Sequence, residues 1–350
     1  MAPVLRSSSA PAVGPSRRRL LAAAGALALT PLLAACGGDD EPDTAGGSAE
    51  ASGGPWTFKD DRGRTVRADE RPERIVAFVS AAAALYDYGI TCTGVFGPTE
   101  PVDGKPNPQA GDMDVSGLTS LGTAFGQFNI EKYAALQPDL LVSNMFPAPD
   151  LWYVPAESKN KIEALAPSVG VSIARTSLLN PLKRTAELAE SLGADLSATK
   201  VTDAKARFDT AVETLRAAAK ANGGLKVMAV TGDSENFYVA VPDSYSDLNY
   251  FKDLGVEFVE GKKSDEWGFW EFLSWENVDK YHADLIMVDN RSTALTLDQL
   301  DEQATWRELP AVKAGQLTPW SMEERFSYAG WAPVLERLAD AVKKSKRLSA

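Results

Sequence analysis

Asn129-Ile130-Glu131-Lys132-Tyr133-Ala134-Ala135-Leu136-Gln137-Pro138-Asp139-Leu140-Leu141-Val142-Ser143-Asn144 changes character halfway along. Residues 129–136 read as a helix with an acidic residue near its start, where the helix dipole favours negative charge. Pro138 breaks it. Asp139 to Asn144 is then an apolar run of strand length. A helix, a breaker and a strand entered through Asp-Leu is half of a strand–helix–strand unit.

Working outward, the same alternation recurs. Arg74 to Val79 is a buried-strand run, followed by Ser80 and a helical stretch from Ala81 to Tyr88 that stops at Gly89. Val169 to Ala174 is another strand. Two helical stretches follow, Pro181 to Leu192 and Ala194 to Asn222. In the second, Val201, Ala204, Phe208, Val212, Leu215 and Ala219 recur at spacings of three and four. Alternation resumes with Leu225 to Thr231, continues through the strand Asp284 to Asp289, and ends in a helix after Tyr328. The expected fold is α/β, with two Rossmann-like lobes joined by one long connector helix and a ligand cleft between them. The boundaries read as 1–35 signal peptide, 36–55 flexible tether, 56–193 N-terminal lobe, 194–222 connector helix and 223–350 C-terminal lobe.

The leader is an address. Arg17-Arg18-Arg19 precedes an apolar run from Leu20 to Ala35, too short and Ala-rich for a comfortable membrane span. Ser16 and the arginines resemble a twin-arginine export signal. Leu33-Ala34-Ala35-Cys36 resembles a bacterial lipobox, which implies lipidation of Cys36 and a chain anchored to the bilayer on the extracytoplasmic face of the cell membrane. Residues 37–54, rich in Gly, Asp, Glu and Ser, cannot bury a core and read as a leash.

Composition narrows the function. The chain has a formal net charge of -12, and removing the four leader arginines takes it to -16. Such a body argues against nucleic-acid binding, which depends on Lys and Arg neutralising phosphates. Two cysteines make no disulfide framework. A single histidine, His282, disfavours a His-ligated metal or haem site. There is no Gly-x-Ser-x-Gly elbow and no phosphate-cradling loop, so an enzyme is not expected. Cys92 reads as a buried thiol, Asp60 and Asp61 as a turn, and Trp275 and Trp306 as packing residues.

Three phrases, in order, resemble one family. Arg71-Pro72-Glu73-Arg74-Ile75-Val76 leads to Ser80; the opening stretch matches an Asn-hydrophobic-Glu helix and Pro-Asp strand entry; and Trp306-Arg307-Glu308-Leu309-Pro310-Ala311-Val312-Lys313-Ala314-Gly315 closes the set. With the connector helix they span most of residues 56–342. The chain resembles the substrate-binding proteins of ABC importers for iron–siderophore complexes, haem and cobalamin. That resemblance implies capture of a ferric siderophore, with the hydroxamate type favoured, and delivery to a permease by a monomer. No cofactor is expected, and iron enters only inside the chelate. Cobalamin or haem remains an alternative ligand, and a sensor or adhesion module without transport an alternative role.

Loops just after strand ends should line the cleft. In the first lobe these carry Ser80, Phe125, Gln127, Asn144, Phe146, Trp152 and Tyr153. In the second they carry Trp267, Trp270, Arg291, Trp320, Arg325, Phe326 and Tyr328. Rings supply contact area and an Arg fork suits chelate oxygens. The resemblance favours Trp267, Arg291, Phe326 and Tyr328. Relatives with an arginine near Thr123 have no counterpart here, and Gln127 or Asn144 is the expected substitute. The resemblance also implies that Glu131 and Glu276 seat on permease arginines. Each is equally readable as a carboxylate stabilising a helix start, and the two roles are compatible.

Overall fold

The computed structural model describes residues 54–102, 104–262 and 265–349. The signal peptide, Cys36 and almost all of the tether lie outside them.

The described chain begins as a hairpin, β1 (Trp56–Lys59) with β2 (Thr65–Ala68), paired antiparallel. Its turn is the expected one, with the Asp60 carboxylate accepting from the amides of Arg62 and Arg64. The first lobe is then built from β3 (Ile75–Phe78), α1 (Val79–Asp87), β4 (Gly94–Phe96), β5 (Thr119–Ser120), α2 (Ile130–Ala135), β6 (Leu140–Met145), α3 (Lys159–Glu163), β7 (Ser168–Ser172) and α4 (Leu179–Ser191). The sheet runs β5-β4-β3-β6-β7 and every pairing is parallel. Parallel strands are covered on both faces, which is why β3 and β6 are buried along their whole length. Four consecutive alanines, Ala81 to Ala84, let α1 sink against this sheet with only Tyr86 exposed.

The connector, α5 (Thr199–Ala221), starts five residues later than the periodicity predicts. Asp195 accepts from the amide and hydroxyl of Ser197, and this local turn outcompetes the helix there.

The second lobe comprises β8 (Lys226–Gly232), β9 (Asn236–Ala240), α6 (Ser246–Asp253), β10 (Glu257–Phe258), β11 (Trp270–Ser274), β12 (Leu285–Asp289), α7 (Leu297–Asp301), α8 (Ala304–Glu308), α9 (Pro310–Lys313), β13 (Leu317–Trp320) and α10 (Tyr328–Lys344). Its sheet runs β11-β9-β8-β12-β13, with β10 beside the start of β8. Pairings are parallel except around β9, whose antiparallel ladders to β8 and β11 add a hairpin that the sequence reading did not anticipate. Helix α10 lies along α5, where Phe208 meets Tyr328 edge-on at 5.4 Å. Trp306 is fully buried and Trp275 nearly so, both in packing roles. His282 bonds Asp284 at 3.3 Å. Cys92 is a buried thiol, pushed up to about 12 by burial.

The two lobes are tied by buried charge. Asp87, in the last turn of α1, accepts from Arg325 Nε at 2.8 Å and from the Ser327 hydroxyl of the second lobe. Arg325 also reaches Asp112 at 3.3 Å. Its guanidinium lies so close to Gly111 that a Cβ there would sit 1.9 Å from Nη1. Only glycine allows that approach. Replacing Asp87 with Ala removes the buried cross-lobe partner of Arg325 and leaves it Asp112 and Glu324, and we expect a loss of about 2 kcal/mol in urea unfolding. A loss within the error of the extrapolation would mean that Asp112 and Glu324 suffice for Arg325 without Asp87.

Candidate functional site

The carboxyl end of β6 runs into Phe146 and the carboxyl end of β7 into Arg175. Both meet second-lobe residues directly. Phe146 packs on Phe269 at 4.4 Å and on Tyr245 at 5.8 Å. Tyr245 in turn contacts Phe269, Trp270 and Trp320 at 5.3–5.4 Å. On the first-lobe side Trp152 lies 5.5 Å from Phe146, and Phe125 lies 5.2 Å from both Trp152 and Tyr153. A continuous set of rings therefore crosses the seam. Its inner members are buried, whereas Phe125 is 65% exposed and Trp267 52% exposed.

Buried rings with polar handles normally find partners. Two here do not: the Tyr245 hydroxyl and Trp152 Nε1 are buried without a hydrogen bond. Burial holds the Tyr245 hydroxyl well above its ordinary range. Below the rings, Trp320 Nε1 donates to Asp247 at 2.6 Å, and burial pushes that carboxyl up to about 6 against the pull of this bond.

Three arginines approach the seam and their electrostatic states differ. Arg291 donates to Asp289 through Nε and Nη2, the latter at 2.7 Å, and to Glu323 through Nη1. Burial alone would lower its pKa, but the two carboxylates overcome this and hold it raised. Glu323 also accepts from Gln109 of the first lobe at 2.7 Å. Arg325 is occupied by Asp87 and Asp112. Arg175 is exposed and has no carboxylate partner among the described residues. Its guanidinium lies 5.1 Å from the centroid of Phe269 and donates to the carbonyl of Trp267. Its backbone sits at φ +54°, a left-handed conformation unusual for a side chain of this kind. The amide is held by Ser244 O at 3.0 Å.

The ring set brings together Phe125, Phe146, Trp152, Tyr153, Trp270 and Trp320, and Arg175 links Trp267 to it through Phe269. Other expected positions need correction. Ser80 and Asn144 are buried and bond each other at 3.0 Å, with Asn144 O accepting from Trp152 N. Their polar atoms brace the loop after β6. Gln127 is exposed but borders a separate hollow with Thr123 and Lys132. Trp320 is 1% exposed and is the base of the ring set instead of a ligand surface. Phe326 is buried on Trp331 at 5.6 Å, and Tyr328 packs on the connector. The segment after β13 turns inward to start α10, where Ser327 caps the helix by accepting from Gly330 N, so Arg325, Phe326 and Tyr328 serve the scaffold. Arg291 is spent on carboxylates. Glu131 and Glu276 are both exposed.

The sequence reading missed Arg175, Tyr245 and Phe269. Arg175 directly follows the strand Val169 to Ala174, so the strand-end rule applied to it as well. Tyr245 and Phe269 flank β9 and β11, which were not recognised as strands. Among the described residues no group of three or more His, Cys, Asp or Glu could hold a metal ion.

A ring-lined seam between two α/β lobes, with unpartnered polar atoms inside it, defines a ligand-capturing protein. Residues 76–321 match the family described as periplasmic binding protein, and the chain belongs to that family of binding proteins, which are not enzymes. The structure is similar to that of DesE, a ferric-siderophore receptor protein from Streptomyces coelicolor, with 50% identity and a TM-score of 0.81 over 84% of this chain and 100% of that one. It shares its fold with the siderophore periplasmic binding protein from the fuscachelin gene cluster of Thermobifida fusca (24% identity, TM-score 0.57, 78% of this chain and 96% of that one). The same holds for the petrobactin-binding protein YclQ from Bacillus subtilis (18% identity, TM-score 0.64, 83% and 99%). No curated protein sequence matches the chain.

Arg175→Ala should weaken ligand binding about tenfold, the worth of one charge-assisted bond, with the melting temperature unchanged. Tryptophan quenching reads the first and calorimetry the second. Unaltered affinity would assign Arg175 to the scaffold.

Proposed function

We propose that this protein is the lipid-anchored ligand-capturing component of an ABC importer, and that its ligand is a ferric siderophore of the hydroxamate type. The observation that carries the reading is the 50% identity extending over the whole of a ferric-siderophore receptor. The geometry fits it. Exposed rings at the seam provide apolar contact area, and Arg175 offers one fork to chelate oxygens. A hexadentate siderophore fills the coordination sphere of iron(III), so the protein supplies no ligand to the metal. The hydroxamate preference rests on charge. A tris-hydroxamate complex of iron(III) has a neutral core, whereas a tris-catecholate complex carries three negative charges. A seam with one guanidinium free of carboxylates among the described residues, on a chain of net charge -12, suits the former.

Anchoring through Cys36, twin-arginine export and permease contact through Glu131 and Glu276 complete the reading. Glu131 is the second residue of α2, whose start Asn129 already caps by accepting from Lys132 N at 2.8 Å. Its carboxylate is therefore not needed as the cap. Glu276 does stabilise its own turn, where bonds from its own amide and then Ser274 keep its carboxyl below the usual range. An exposed carboxylate can do both.

Titration of the mature protein with ferric siderophores, haem and cobalamin should quench tryptophan fluorescence at the lowest concentration with a ferric hydroxamate. If haem or cobalamin wins, the ligand assignment is wrong. For delivery, cells carrying Cys36→Ser, or Glu131→Ala with Glu276→Ala, should lose most uptake while the purified variants keep wild-type affinity. Cys36→Ser protein should leave the membrane fraction for the medium. Normal uptake by the Glu pair variant would leave both residues as helix-start groups only.

A further inference from the structure

The chain is acidic as a whole, yet Lys343, Lys344, Lys346 and Arg347 follow one another closely with no carboxylate among them. All four are exposed. The helix dipole accounts for cations in the last turn of α10, which ends at Lys344. It does not account for Lys346 and Arg347 beyond it.

The backbone that carries these charges is pinned. Asn222, which closes α5, donates through Nδ2 to Val342 O at 2.9 Å and to Ser345 O at 2.8 Å. Gln316 brackets Lys346, accepting from its amide at 2.8 Å and donating to its carbonyl at 2.9 Å. The Leu348 amide ends on the Asp284 carboxylate at 2.7 Å. The cations are therefore fixed against the second lobe, unlike those of a solvated tail. Arg347 lies over Gly224, where a Cβ would come within 3.2 Å of Nη1. Lys220, in the last turn of α5, adds another exposed cation at this end.

Carboxylates answer only part of this face. Asp340 meets Lys343 at 3.9 Å, and Glu257 is taken by Lys226 at 2.9 Å with Arg347 nearby. Lys220, Lys344 and Lys346 form no ion pair among the described residues. Lys344 and Lys346 also border a hollow of ≈ 460 Å³ whose other walls include Leu285, Leu317, Ala341 and Leu348. The Gln316 amide there is spent on Lys346 and on Asp284 O. Two ammonium groups beside apolar walls suit an anion that continues into apolar chain.

The face also has a definite place in the fold. It lies at the amino ends of β12 and β13, which begin at Leu285 and Leu317. The ring-lined seam is at the opposite, carboxyl ends. Glu276 follows the carboxyl end of β11, which runs antiparallel to β9 and so in the direction of β8.

We propose that this basic face rests on an anionic phospholipid surface, with headgroup phosphates between Lys344 and Lys346 and the seam turned outward. The acidic remainder helps to select the face. At physiological salt charges are screened beyond about 8 Å, so a local basic patch is drawn to the surface while acidic faces are repelled at contact. The contact needs neither an acyl chain nor a siderophore. Joined to the function proposed above, it is a posture for capture that the protein leaves to deliver its ligand, so it is weak and salt-sensitive.

The test uses the chain from residue 36 with Cys36→Ser, so that no acyl group contributes. It is sedimented with vesicles of phosphatidylglycerol and phosphatidylcholine in equal parts, and with phosphatidylcholine alone. It should sediment with the first only, and be released at roughly 0.5 M salt, where screening shortens to about 4 Å. Lys344→Gln with Lys346→Gln should lower partitioning about tenfold at unchanged melting temperature. Lys346→Gln alone, outside α10, should lower it about threefold and guards against an effect on the helix. Lys161→Gln with Lys183→Gln removes the same charge from the exposed surface of the first lobe and should change little. Equal losses in the two double variants would make the effect one of net charge and overturn the proposal. Sedimentation that ignores phosphatidylglycerol, or that fails with both vesicles, overturns it too. Calorimetric binding of inorganic phosphate at the lysine pair without vesicle binding would assign the hollow to a soluble anion, and the membrane contact would fall.

Discussion

Arg325 meets Asp87 in a buried pair, with the exposed Asp112 on its other side, and much of the molecule's behaviour follows from that one buried contact. Taking a guanidinium out of water is costly unless its partners are fixed. Here the partners sit on the first lobe and the arginine on the second, so separating the lobes would strand charge on both sides. Arg291 adds a similar link, since Glu323 joins it to Gln109 of the first lobe. Two backbone bonds across the seam, Arg175 N to Ser244 O and Leu178 N to Ser246 O, reinforce the tie. Together with α5 packed along α10, they argue for a small closure instead of a wide hinge motion.

The same pairs set the electrostatics of the seam. An arginine already shared by two carboxylates has little charge left for a ligand. Residue type alone made Arg291 and Arg325 the obvious ligand contacts, whereas their partners make them structural. Of the three seam arginines, Arg175 is the one without a carboxylate among the described residues, and its backbone sits in a left-handed position.

This explains what was legible in the sequence. Strands β3, β6 and β12 are continuous apolar runs because parallel strands must be, and they were read nearly to the residue. The hairpin β9–β11 was not. Asn236-Phe237-Tyr238-Val239-Ala240 mixes a buried face with a partly open one, and a long loop separates it from Trp270, so no single window carries its signal. Loops at strand ends were found correctly, but sequence does not say which way a loop turns. The segment 321–328 turns into the core because α10 must start against α5, and that took Phe326 and Tyr328 with it. Asn144 was chosen for its polarity, yet a polar side chain just inside a strand end more readily braces its own loop, as its bond to Ser80 does.

For the proposed cargo, the scarcity of metal-binding groups at the seam has a physical use. A siderophore holds iron(III) through hard oxygen donors. A binding site rich in free carboxylates would offer competing hard donors and strain the complex it must carry intact. Here Asp289, Glu323 and Asp87 face the seam but are each occupied by an arginine, and the surface left to the ligand is largely aromatic. The buried ion pairs thus do two things at once. They tie the lobes together, and they withdraw from the seam the oxygens that could contest the iron. Recognition then falls on the outer shape of the chelate, which rings can match by contact, and on any group projecting from it.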